Sequence, residues 1–178
     1  MQVRLVLLLL VAAQTAVAEL PDSSEHGFTT VHKVVIDAPR AAVYAAAVHE
    51  VGKWWSDAHT ISGDAGRMSI NAVPQGCFCE MLGDTAGIVH LTVTFTSPGV
   101  LLRMTGALGP LGVMGVNGNM LWEFADSDDA TAVKFTYVVG GYRPGGLEEV
   151  APAVDFVIGE ALARLRAYVE TGDANNID

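Results

Sequence analysis

The last long stretch of the chain, from about Leu147 to Thr171, places apolar side chains at Val154, Ile158, Leu162, Leu165 and Tyr168/Val169. Steps of three and four lay these residues along one stripe of an α-helix, and a stripe of that length must be buried against another element. Glu148 and Glu149 near its start and Arg164 and Arg166 near its end suit the helix dipole. Almost everything before it reads as strand. FTTVHKVVID (28–37), GCFCEML (76–82), GIVHLTVTF (87–95), VLLRMTGAL (100–108), NMLWEFAD (119–126) and ATAVKFTYVVGGY (130–142) are rich in β-branched and aromatic residues, with turn residues between them. A single earlier helix is expected in APRAAVYAAAVHEV, capped by Asp37, with Pro39 in its first turn and Val43, Ala46 and Ala47 as its apolar stripe. The order is strand, helix, five or six antiparallel strands, long helix. It predicts an α+β fold in which a curved antiparallel sheet wraps around the C-terminal helix.

The N-terminus belongs to a different class. Arg4, an apolar run from Leu5 to Ala13 and the small-x-small pattern Ala16-Val17-Ala18 read as a secretory signal peptide over residues 1–18. The run is short for a membrane span. Cleavage near Ala18 would give an exported chain, periplasmic or secreted, with no stable membrane association. Residues 19–27 are expected to be a flexible segment, 28–171 one domain and 172–178 a disordered tail. Twenty acids against ten Lys and Arg give a formal charge of −10, which disfavours nucleic acid and anionic membrane surfaces as partners. Two cysteines are too few for a disulfide-rich scaffold.

Several segments together carry a family resemblance: VVIDAPRAAVYAA (34–46), KWWSDAHTISGDAG (53–66), GCFCE (76–80), GALGPLG (106–112), YVVGGY (137–142) and the last helix. On these the chain resembles the START-like, or SRPBCC, superfamily with its helix-grip fold, closest to the branch of polyketide cyclase/dehydrase-like proteins and the Hsp90-ATPase-activator-homology domain. The resemblance spans roughly residues 28–171, about the size of one domain. It implies a hollow between sheet and helix, and it says little about activity, because one scaffold of this kind hosts many functions.

Cys77 and Cys79 point to the same side of a strand. Pairing the hairpin arms across residues 83–87 sets Glu80 opposite His90 and Cys79 opposite Leu91. The cysteines then share the apolar, concave face with Val89, Leu91, Val93 and Phe95, while Glu80 and His90 face outward. Two buried thiols packing as small hydrophobes are the plainest reading. A disulfide suits an exported chain, although i, i+2 side chains on a flat strand sit too far apart for relaxed geometry. A metal site would need His or carboxylate on the cysteines' face, and none is expected there.

Trp54, Trp55, Cys79, Leu91, Met104, Trp122, Tyr137, Ile158 and Leu162 are the inward positions expected to line the hollow, or to fill the core. His59, Glu80 and His90 are the candidate acid–base groups. Glycine spacing and a proline make GPLGVMGVNG (109–118) a lid rather than a phosphate loop, and no zinc-protease, EF-hand or serine-elbow spacing is present. Neither a cofactor nor a metal is implied. The leading expectation is a binding protein for a small hydrophobic or amphipathic molecule. The alternatives are a cyclase/dehydratase-type enzyme with a cavity acid or base, and a protein-interaction module.

Overall fold

A computed structural model describes residues 22–177. The expected leader, residues 1–18, lies outside the described residues. The described residues begin with a short hairpin, β1 (Asp22–Ser24) and β2 (Gly27–Ile36). Helices α1 (Arg40–His49) and α2 (Val51–Trp54) follow, then β3 (Met68–Ile70), β4 (Cys77–Met81), β5 (Gly87–Ser97), β6 (Leu101–Gly106), β7 (Gly115–Ser127) and β8 (Ala130–Tyr142). The long helix α3 (Ala151–Thr171) closes the fold. Single 3-10 turns at Asp57–His59, Ala65–Arg67 and Gly109–Val113 punctuate the loops. One eight-stranded sheet has the order β1-β2-β8-β7-β6-β5-β4-β3, with every neighbour antiparallel. The sheet curves around α3, as the sequence predicts.

β7 and β8 run thirteen residues each in unbroken register. Alternation therefore holds along their length. Met120, Trp122 and Phe124 on β7, and Val133, Phe135 and Tyr137 on β8, are buried. Trp122 stacks on Phe135 at 4.4 Å between ring centroids, and Trp54 packs against Trp122 from the helical side. From α3, Ile158, Leu162 and Leu165 complete this core. The helix is also fixed to β2 by a largely buried hydrogen bond between His32 Nε2 and Asp155 Oδ1 at 2.8 Å. Gly159 makes room for that imidazole, since a Cβ there would lie 2.8 Å from His32 Cε1.

Three local expectations are corrected. Asp37 does not cap α1. The helix starts at Arg40 behind Pro39, with no side-chain cap, and the Asp37 backbone N–H instead donates to Glu170 Oε1 of α3 at 2.9 Å. Within the segment expected to be flexible, residues 22–24 pair with β2 as a strand. The tail is ordered as far as it is described: Gly172 adopts the left-handed conformation that ends α3, Ala174 is buried, and Asn175 accepts a hydrogen bond from Arg164 at 2.9 Å.

Candidate functional site

A hollow of about 270 Å³ opens between one end of α3 and two loops that rise from the sheet. Its floor and one wall come from the loop after α2, through Trp55, Ala58 and Ile61. The opposite wall is the segment from Leu108 to Met114, whose 3-10 turn puts Leu111 inward and leaves Val113 in solvent. The third side is the start of α3 with the residue before it, which contribute Val150, Val154 and Val157. Residues 109–114 of the expected lid are thus a wall of the hollow, and residues 115–118 form the start of strand β7 instead of continuing as loop.

The two loops are held by one buried polar pair. Glu80, on β4, and His90, on β5, are 0% and 4% exposed, with Glu80 Oε2 3.0 Å from His90 Nε2. Glu80 also accepts backbone N–H bonds from Ile61 at 3.1 Å and from Ser62 at 2.5 Å. His90 Nδ1 accepts the Gly109 N–H at 3.2 Å. A carboxylate can only accept, so Nε2 carries the imidazole proton and Nδ1 is the acceptor, consistent with both bonds. Burial alone would raise the Glu80 carboxyl. The hydrogen bonds from Ser62, Ile61 and His90 outweigh it and hold the group below its ordinary value. Every atom of the pair that could serve a substrate is already engaged. Glu80 and His90 therefore pin the 60s loop and the 108–114 loop to the sheet, and act as acid or base only if those bonds break.

This placement corrects the outward assignment of Glu80 and His90. Phe78 and Glu80 share the inner face of β4, and the cysteines take the other face. The cause is a β-bulge: Phe78 pairs with Leu91 but Cys79 pairs with Val89, so His90 is an extra residue in β5. A second irregularity at Val93/Phe95 turns the strand again, which leaves Val89 and Phe95 exposed while Leu91 and Val93 are buried. Cys77 and Cys79 form a disulfide on the half-exposed outer face, with Cα atoms 5.4 Å apart. Two steps of a regular strand cover about 6.6 Å, so β4 is locally shortened where the bulge occurs. That shortening removes the distance objection to an i, i+2 bridge. Cys79 is correspondingly no part of the hollow.

Of the other expected residues, Trp55 and His59 line the hollow. Trp54, Leu91, Met104, Trp122, Ile158 and Leu162 are packed in the core below it. Trp54 is fully buried, its Nε1 donating to the Ala46 carbonyl at 3.1 Å. Tyr137 supports the wall from beneath. Its hydroxyl accepts from the Leu108 N–H at 3.1 Å and donates to the Gly106 carbonyl at 3.0 Å, and burial pushes its phenol up to about 12. Glu160 is a site residue that the sequence reading missed. Its Oε2 lies 2.8 Å from His59 Nε2 at the mouth. The available signal was the α3 register, because Glu160 falls one turn beyond Phe156 and Val157 on the helix. Among the described residues no group of three or more His, Cys, Asp or Glu is placed to hold a metal ion, and no helix is long and apolar enough to cross a membrane.

No protein-family model matches the sequence, and neither does any curated protein. Solved structures match the fold. The Aha1 dimer from Colwellia psychrerythraea aligns with a TM-score of 0.58 at 16% identity, over 81% of this chain and 97% of that one. Ara h 8.0201 aligns at 0.55 and 14%, over 80% and 97%. DynU16, a protein in the dynemicin biosynthetic locus, aligns at 0.58 and 18%, over 86% of this chain and 49% of that one. At such identities the likeness concerns architecture alone. The architecture is the START-like helix-grip fold: a curved antiparallel sheet around a long C-terminal helix.

Proposed function

We propose that this START-like helix-grip domain is an exported binding protein that holds one small apolar or amphipathic molecule in the hollow between the 60s loop, the 108–114 loop and α3. The observation that carries the reading is the lining. Three separate elements converge on one cavity, and nearly all the side chains they present are apolar. Burying apolar surface there is worth roughly 25 cal/mol per Å². At 270 Å³ the cavity lies just under the ~300–1,000 Å³ typical of drug-sized ligands. With about 30 Å³ for each water-sized group, it accommodates on the order of ten non-hydrogen atoms. A one- or two-ring compound fits that space, and a two-chain lipid does not.

Two features support export. One is the leader-like sequence of residues 1–18; the other is the Cys77–Cys79 disulfide, a bond that persists in oxidising compartments. The strongly acidic charge argues against nucleic acid as a partner.

The test is native mass spectrometry of the full chain expressed in an exporting host. The expected result is a mature mass consistent with loss of residues 1–18, together with a bound species of roughly one or two rings. Titration with solvatochromic naphthalene dyes should give saturable binding that a Val154→Trp substitution abolishes by filling the hollow. Dye binding unaffected by Val154→Trp would remove the hollow from the proposal.

A further inference from the structure

The hollow is apolar apart from very few side-chain polar groups, and each of these can be followed to its partner. Thr60 Oγ1 donates to the Asp57 carbonyl at 2.8 Å, and Trp55 Nε1 donates to the His59 carbonyl at 3.1 Å. His59 is the remaining one. Its Nε2 is committed to Glu160 at 2.8 Å, and among the described residues its Nδ1 has no hydrogen-bond partner. Among the described residues no Lys, Arg, Asp or Glu lines the cavity. At the mouth, Phe156 meets the His59 ring edge-on at 6.0 Å and is 64% exposed, and Ile61 is 54% exposed. The entrance therefore presents apolar surface beside the His59–Glu160 pair.

The chemistry of the free nitrogen follows from its neighbour. A carboxylate only accepts, so Glu160 fixes the proton on Nε2 and leaves Nδ1 of the neutral ring as an acceptor. An acceptor on a residue that lines an apolar cavity favours a ligand that donates. The nearby Glu160 carboxylate, together with the −10 charge of the chain, opposes a ligand that brings a negative charge.

We infer that the hollow selects a neutral one- or two-ring molecule carrying a single hydroxyl, and that this hydroxyl donates to His59 Nδ1, with Glu160 positioning the imidazole. The inference rests on the binding reading above and narrows its ligand class to phenol- or alcohol-bearing ring compounds.

Three probes of nearly equal size separate the possibilities by isothermal titration of the full chain: 1-naphthol, 1-methylnaphthalene and 1-naphthoate. The hydroxyl contact should make 1-naphthol bind about tenfold more tightly than 1-methylnaphthalene, the scale of one hydrogen bond made without loss elsewhere. Naphthoate should bind most weakly. His59→Phe should bring the ratio of 1-naphthol to 1-methylnaphthalene affinity from about ten to about one. Glu160→Gln, which can still accept from Nε2 but carries no charge, should raise naphthoate affinity several-fold relative to 1-methylnaphthalene. Equal affinity of the wild type for naphthol and methylnaphthalene would overturn the hydroxyl contact while leaving the cavity reading standing. So would an unchanged ratio of the two affinities in His59→Phe. Failure of all three probes to bind would overturn the cavity reading, and the hydroxyl selection with it.

Discussion

The β7–β8 hairpin and the β4–β5 hairpin belong to one sheet but solve different problems. β7–β8 keeps register for thirteen residues, presents Trp122, Phe135 and Tyr137 inward, and packs Trp122 against Trp54 of α2. β4–β5 breaks register at Phe78/Cys79, carries a disulfide on its outer face and buries an ionisable pair on its inner face. The regular hairpin supplies most of the hydrophobic core. The irregular one places polar groups where they can hold two loops open around a hollow. Building a cavity wall requires loop backbone to approach the core, and the N–H groups of that backbone need buried acceptors. The bulge supplies them by turning His90 inward beside Glu80.

The comparison can be broken at its strongest point first. Trp122→Ala should cost about 3–5 kcal/mol in urea unfolding, because a large stacked side chain leaves a cavity between sheet and helix. Its effect on the hollow should be secondary: a folded fraction selected at low temperature should still bind a naphthalene dye.

Glu80→Ala should cost about 3 kcal/mol, through the stranded Ile61, Ser62 and His90 groups. Unlike Trp122→Ala, it should lower dye affinity in the folded protein, because it frees the 60s loop. If Glu80→Ala destabilises the chain without weakening the dye, the pair is only a core contact and the contrast between the hairpins fails.

Removing the disulfide with Cys77→Ser/Cys79→Ser should cost about 1–2 kcal/mol, the chain-entropy value for so short a loop. The sharper readout is hydrogen exchange. β4 is free to lengthen without the bridge, so protection of the Ser62 and Gly109 amides should fall while that of β7 and β8 stays constant.

The smallest effect should come from acid. The Glu80 carboxyl lies below its unfolded value near 4.5, so its contribution to stability is fully present above that pH. The contribution is lost as pH falls below 4.5 through the lower folded-state value. Glu80→Gln should flatten this part of the stability profile, and a profile identical to wild type below pH 4.5 would remove Glu80 from it.

The sequence by itself determined the architecture. The stripe from Val154 to Val169 demanded a surface to bury it, and period-two alternation along residues 119–142 supplied one. Met120, Trp122, Tyr137, Ile158 and Leu162 face inward for that reason, and glycine and proline marked residues 109–114 as lying outside the strands. The tertiary structure alone decided which residues surround the hollow. Alternation predicts faces only while register holds, and a single inserted residue reverses every assignment beyond it. That is why Cys79 moved out and Glu80 and His90 moved in. The pairing of His59 with Glu160 joins a loop to a helix 101 positions away. No local spacing encodes such a contact, because it exists only once α3 has docked against the sheet.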